Sequence, residues 1–338
     1  MKKIISILSF CFIFLFTACD ESQIADTQEG VEKSTTFELL SFVAEEAYPG
    51  EGEIVKFENG TEFRFIENVG YIFGGDMILT EEQAVFFDQN PNGEANPQTR
   101  GSILTGNRFK WSTRSPIEYY IGDDNNGLRQ KVLDAISVWE SQTQLKFKRL
   151  SYSEYHDKFT SDFYGYVSPF LYFKSGNGSS SPLGQRDPGP NVITLDENSS
   201  TFGTAIHEIG HSIGLIHEHQ SFIRDNQLII HTNNILSNKM HNFSKETLSH
   251  SVYGGVDFYS IMLYPSYNSF AINQSQPTMT AKAGVYIPPS RQTGINNNTW
   301  TVQRQFLSVN DRWAVAGVYG YYFNVEDHNF EPGGRFWE

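Results

Sequence analysis

The stretch His207-Glu208-Ile209-Gly210-His211-Ser212-Ile213-Gly214-Leu215-Ile216-His217 decides how this chain is read. It has the form HExxHxxGxxH, and each fixed position has a chemical reason. On a helix, residues four apart share a face, so His207 and His211 project side by side. Two imidazoles at that spacing can grip one zinc ion at about 2.0–2.1 Å each. Glu208 follows the first of them, which sets its carboxylate beside the metal's open position. Gly214 can take the left-handed conformation that ends a helix and turns the chain back, and the return brings in His217 as third ligand. Three protein ligands plus water define a catalytic zinc, not a structural one. The alternative is a core helix that happens to carry histidines. Phe202, Ala205, Ile209, Ile213 and Ile216 do predict an amphipathic helix. A chance match to all five fixed positions has a probability of roughly one in 10⁵, so coincidence is a poor account of them.

A second segment, Ser260-Ile261-Met262-Leu263-Tyr264-Pro265, fits the first. Met262 alone would be ordinary core. Beneath a zinc site its thioether gives the imidazoles a soft, apolar floor, and a long histidine motif followed by such a Met-turn is the metzincin pattern.

With these residues in view, the chain resembles the astacin family of zinc endopeptidases, within the metzincin clan. Glu218 and His219 follow the third histidine at once, Tyr264 stands two residues after Met262, and Arg224-Asp225-Asn226 matches the stretch after the zinc helix. Ser221, Ile223 and Gln227 depart from the family's usual Arg, Asp and Tyr. Upstream, Phe73-Gly74-Gly75-Asp76-Met77 resembles the FxGD motif of astacin propeptides. Two glycines and an acid also suit a plain surface turn. The resemblance implies that Asp76 latches zinc in a latent enzyme and displaces the catalytic water. It further implies Zn2+ as cofactor and an α+β fold: a metzincin, astacin-like catalytic domain with a mixed sheet, an antiparallel edge strand and two long helices above. An irregular lower subdomain would follow, with the zinc cleft between the halves and a prosegment in front. Tyr264 would serve the developing oxyanion, Glu208 would be the proton shuttle, and Glu218 would pair with a new amino terminus made by cleavage.

Composition sets the remaining bounds. Residues 1–18 read as a signal peptide: Lys2 and Lys3 precede a short apolar run, Ile4 to Phe16, and Phe16-Thr17-Ala18-Cys19 resembles a bacterial lipobox whose Cys19 would be lipidated. The expected product is an exported, membrane-anchored lipoprotein at a bacterial outer membrane or cell surface, freed from its anchor when the propeptide is cut. The only cysteines, Cys11 and Cys19, lie in this leader, so the exported body stands without disulfides. Of the formal net charge of −14, most lies upstream: residues 20–100 carry 18 acidic against 4 basic residues. This region reads as an acidic tether and propeptide, ending in an Asn-, Pro- and Gly-rich linker where an activating protease would cut near Arg100-Gly101. Residues 101–323 read as the protease domain and 324–338 as a tail.

Within that domain, Pro116–Ile121 and Leu145–Leu150 read as strands and Leu128–Gln142 as a helix. By the same family resemblance Tyr166–Lys174 would be the edge strand that pairs with an extended peptide, and Gly176–Gly189 reads as a loop. Protein or peptide substrates are expected. No basic stripe with interleaved aromatics suggests a nucleic-acid partner. Two other classes compete: a non-catalytic, zinc-containing surface binding protein, against which the intact Glu208 argues, and a zinc hydrolase acting on a non-peptide amide or ester.

Overall fold

In a computed structural model, the structure describes residues 45–89, 103, 109–122, 126–160, 166–245 and 255–319. Cys19, the tether, Arg100-Gly101 and the tail lie outside the described residues. The first described unit is an antiparallel meander of β1 (Glu53–Lys56), β2 (Glu62–Ile66), β3 (Gly70–Phe73) and β4 (Met77–Leu79), followed by helix α1 (Glu81–Gln89). One face of it closes on itself through Ala47, Ile66, Ile72 and Ile78, while on the other Phe63, Phe73, Met77, Leu79 and Phe87 pack together with Phe109, Leu183 and Ile216 of the body.

The body is built on β5 (Ile117–Ile121), β6 (Phe147–Arg149), β7 (Phe170–Gly176) and β9 (Pro190–Asp196), side by side in the order β6-β5-β7-β9 with every neighbour parallel. Parallel neighbours need crossovers, and α2 (Asn126–Gln142) supplies the one from β5 to β6. Its apolar face, including Val132, Ile136 and Trp139, joins the main core. It packs on α4 (Phe202–Ile213), to which the Trp139 indole donates at 3.1 Å through the Ile206 carbonyl. The two long helices expected above the sheet are α2 and α4.

The antiparallel edge exists, but not at Tyr166–Lys174, where the family resemblance implied it. That segment becomes β7, an interior strand flanked by β5 and β9, with Phe170, Leu171 and Phe173 buried. The edge is formed by the stretch expected to be a loop. Ser180 exchanges both backbone hydrogen bonds with Thr194 of β9, at 2.9 and 3.0 Å, and the chain runs on into β8 (Ser181–Pro182). There β4 of the prosegment pairs with it in parallel, so one five-stranded sheet spans the two units.

Helix α3 (Tyr152–Thr160) was not anticipated; it lies on the outside with no buried residue. Below the cleft the chain runs through short 3-10 turns and one antiparallel pair, β10 (Leu228–Ile230) with β11 (Met279–Ala281). A separate core here gathers Phe243, Tyr264, Phe270 and Trp300. Helix α5 (Val309–Tyr319) closes the described chain and returns to the upper core through Ala314, Val315 and Val318.

The end of α4 fixes the turn that the whole arrangement needs. Gly214 has φ of 111°, its N–H donates to His211 O at 2.8 Å, and Leu215 N–H donates to Gly210 O at 2.9 Å, which is a Schellman stop. Two aromatic donors take up neighbouring carbonyls: Trp111 Nε1 to Ser212 O at 2.7 Å and the Tyr319 hydroxyl to Ile213 O at 2.8 Å. Gly214→Ala forces a side chain into left-handed backbone, so it is expected to destabilise the protein by about 1–3 kcal/mol. Urea unfolding of the variant beside the parent measures this, and an unchanged midpoint would mean that the turn relaxes freely.

Candidate active site

Helix α4 starts on a capping box in which Thr201 Oγ1 accepts from Thr204 N–H at 3.2 Å and Thr204 Oγ1 accepts from Thr201 N–H at 3.1 Å. Two turns on, His207 and His211 share its inner face. The turn at Gly214 brings His217 back toward them. All three rings are fully buried, and their Nε2 atoms converge: His207 lies 3.1 Å from His211 and 3.2 Å from His217.

The other ring nitrogens explain the convergence. His207 Nδ1–H donates to Ile261 O at 2.8 Å, His211 Nδ1–H to Leu215 O at 2.7 Å, and His217 Nδ1–H to Gln220 Oε1 at 2.9 Å. Each acceptor is an oxygen that can only accept, so each Nδ1 carries the hydrogen and each Nε2 turns its lone pair inward. Burial also pushes the His211 pKa down to about 4, with Asp76 only partly offsetting it.

Asp76 completes the cluster from the prosegment. Its Oδ1 lies 3.3 Å from His211 Nε2 and from His217 Nε2, and its Oδ2 lies 3.4 Å from His207 Nε2. Burial would raise this carboxyl; positive charge facing it, on His217 and His211 or on a cation held between them, is what brings the group well below the usual carboxylate range. Three lone pairs and a carboxylate pressed together in the interior repel one another. They become favourable around a single cation, and three imidazoles with one carboxylate suit a tetrahedral divalent metal such as zinc.

Glu208 stands beside this point, wholly buried, with neither carboxylate oxygen hydrogen-bonded. Burial first, then the charges of Asp76 and Glu45, push its pKa well above the ordinary value. Met262 lies under the helix where the motif has Gly210; a methyl group at that position would come 2.9 Å from the Met262 sulfur. The Met-turn is itself pinned by α5: Asp311 accepts from the Ser260 hydroxyl at 2.7 Å and from Ile261 N–H at 3.0 Å. That linkage runs from Asp311 through the Ile261 carbonyl to the His207 ring.

Tyr264 lies 4.5 Å from the His217 ring, centroid to centroid, and stacks on His219 at 4.4 Å. Its hydroxyl is within donating distance of Glu45 O at 3.2 Å and Gly74 O at 3.1 Å, both in the prosegment. Burial, reinforced by Asp76 and Glu45, raises the phenol pKa well above its usual value, so the group stays a donor. Gly75 is essential to this contact: its φ is +107°, and a methyl there would stand 2.9 Å from the Tyr264 oxygen. The prosegment is tied across the site by further bonds. Glu45 makes a two-pronged ion pair with Arg304 at 3.1 and 3.2 Å, Glu46 pairs with Lys239, and Ser181 N–H donates to Asp76 O at 3.0 Å.

Glu218 points away from the metal cluster into a buried group of acids. Its carboxylate accepts Asp257 N–H at 3.1 Å, and Asp257 in turn accepts the Ser308 hydroxyl at 2.6 Å. Burial and the nearby Asp311 charge push Asp257 up to about 6, and burial, with Asp257 adding, pushes Glu218 well above the ordinary range. Reading the sequence singled out Glu218 alone; Asp257 and Asp311 were missed because their partnership exists only after the chain folds back. His241 is buried, with Nε2 unpartnered.

Residues 104–298 match the family model described as Astacin, a peptidase family. The chain therefore belongs to the astacin family. Among similar proteins, the zinc metalloproteinase nas-34 of Caenorhabditis elegans is 30% identical over 260 residues, covering 72% of this chain and 41% of that protein. The protein SpAN of Strongylocentrotus purpuratus is 30% identical over 210 residues, covering 62% of this chain and 32% of that protein. The chain thus spans well under half the length of these relatives. A solved structure of the high choriolytic enzyme 1 of Oryzias latipes, a hatching enzyme zinc-protease, aligns with TM-score 0.49 and 22% identity, covering 63% of this chain and 94% of that one.

The acid cluster gives a pH prediction for the uncut chain. The folded pKa of Asp257 is raised from 3.8 to about 6. A carboxyl with a raised folded pKa favours the fold while protonated, and that contribution is lost as pH rises through about 6. Going from about pH 5 to about pH 7.5 should therefore lower the melting temperature of the parent more than that of Asp257→Asn. Equal slopes in thermal melts of the two proteins would contradict the assignment.

Proposed function

We propose that this chain is a zinc-dependent endopeptidase that hydrolyses internal peptide bonds of proteins and is made as a zymogen. The observation that carries the reading is the meeting of three inward-turned imidazoles with Asp76 of the prosegment, with Glu208 alongside. His207, His211 and His217 would hold the metal, and Asp76 would bind it with them in the latent form. When bound, zinc would supply a Lewis acid able to bring the pKa of a water from about 15.7 toward 7. Glu208 takes a proton from the attacking water and delivers it to the leaving amine nitrogen. Tyr264, released from the carbonyls of Glu45 and Gly74, donates to the developing oxyanion, a contact worth about 3–4 kcal/mol where it is well aligned.

The edge at residues 178–183 binds the substrate by strand addition, using the backbone groups that β4 now occupies at Ser181 and Leu183. Substrate and prosegment thus compete for one sheet edge and one metal position. Activation requires a cut near Arg100-Gly101. A chain freed there would begin two residues before Ile103, which already bridges Leu215, three positions ahead of Glu218. The new ammonium would offset part of the negative charge that Glu218, Asp257 and Asp311 bring together in the interior, where each neighbour's charge raises the pKa of Glu218 and Asp257. The leader at residues 1–19 supports export and anchoring through a lipid on Cys19.

Glu208→Gln should keep one zinc per chain and lower the turnover of a quenched peptide by about 10²–10⁴-fold. Zinc analysis and kinetics on one preparation check both halves, and normal turnover would overturn the proton-shuttle role. Asp76→Ala should raise the basal activity of the uncut chain; an uncut variant as silent as its parent would return Asp76 to a simple turn.

A further inference from the structure

Most buried polar atoms at the cleft that lack a partner belong to Asp76 and Glu208, which the metal and its water account for. Asn242 is different. Its side chain is fully buried, and neither Oδ1 nor Nδ2 has a hydrogen-bond partner. The amide does not hold its own loop together. That task falls to the backbone, where the Asn242 carbonyl accepts from His219 Nε2 at 3.2 Å. The same His219 ring stacks against Tyr264, so the peptide that carries Asn242 is fixed relative to the Tyr264 hydroxyl.

What covers the amide is the prosegment. Around Gly75, a methyl group would meet Tyr264 Oη at 2.9 Å and Asn242 Nδ2 at 3.4 Å. The hydroxyl and the carboxamide therefore stand side by side on the lower wall of the cleft, both under the latch. The latch treats them differently. It offers the hydroxyl two carbonyls, at Glu45 and Gly74, and makes no hydrogen bond to the amide, which lies beside Gly75. Burying a carboxamide without partners costs its desolvation and gains no hydrogen bond.

Building on the endopeptidase reading, we propose that Asn242 is a substrate-binding residue whose carboxamide pairs with a backbone peptide group of the bound polypeptide beside Tyr264. A carboxamide has one acceptor and two donor hydrogens, as a peptide group has an acceptor and a donor, so the two can meet through paired hydrogen bonds. The upper rim, at residues 178–183, grips one edge of the extended substrate. Asn242 takes the other edge from below, and the latch, having Gly75 there, leaves that contact unmade.

This gives opposite effects in the two states, which a purely structural asparagine would not. In Asn242→Leu, with Asn242→Ala as a second variant should the leucine crowd the site, the processed enzyme should lose about tenfold in kcat/KM on a quenched peptide long enough to cross the cleft. Zinc content should stay at the parent's level, and the unprocessed chain should melt at or above the parent's temperature. A kcat/KM within twofold of the parent overturns the proposal. So does a matching fall in the melting temperature of the unprocessed chain, which would make Asn242 a fold residue. A processed parent that cleaves no peptide would overturn the endopeptidase reading, and this inference with it. An active parent beside an undiminished variant would sink the Asn242 role alone.

Discussion

Three imidazoles give their Nδ1 hydrogens to oxygens that the fold holds still, and almost everything else in the structure follows from that. With those hydrogens committed, the three Nε2 lone pairs have nowhere to point but at one another. The acceptors come from three parts of the chain: the Met-turn at Ile261, the helix exit at Leu215, and Gln220 past the third histidine. Supporting contacts of this kind commonly carry 10- to 100-fold of a site's metal affinity, roughly 1.4–2.8 kcal/mol. Gly214 matters because Leu215 and His217 reach their places only if the helix stops there. Asp311 matters because it fixes Ile261.

The proposed autoinhibition would use the same logic as the proposed catalysis. A carboxylate with no solvent exposure is costly to bury, by several kcal/mol unless charge opposes it. On that reading Asp76 is stabilised by the cation it faces, and the latch would recognise the loaded site. Its neighbours extend the grip over the whole cleft, from the sheet edge at Ser181 to Arg304 and Lys239 below. The meander shares one of its two apolar clusters with Phe109, Leu183 and Ile216 of the body, which seats it firmly against the cleft.

Much of this was readable from the sequence because it is local. The ligands, Glu208 and the glycine turn all fall within residues 207–217, and the Met-turn, though distant in the chain, carries a short pattern of its own. Asp76 carried its own signal in the paired glycines before it. The sheet edge was not readable. Phe170, Leu171 and Phe173 belong to an interior strand, and the continuous apolar run from Phe170 to Phe173 is the pattern of a strand covered on both faces. The true edge, rich in serine and proline, is held by backbone bonds that leave no apolar pattern. Helix α3 was there to be found: Ser151 and Glu154 form a capping box, with Ser151 N–H donating to Glu154 at 2.8 Å, ahead of aromatics at Tyr152, Tyr155 and Phe159. Asn242 and the acids around Glu218 had no such signal, since only the return of the lower chain brings them to the site.

The most direct measurement is zinc X-ray absorption on the uncut chain and on the same chain after processing. The account predicts three imidazole nitrogens and one carboxylate oxygen around the metal before the cut, with the carboxylate lost afterwards while the three nitrogens stay. A metal with fewer than three imidazoles, or one whose surroundings are identical in the two forms, would contradict it.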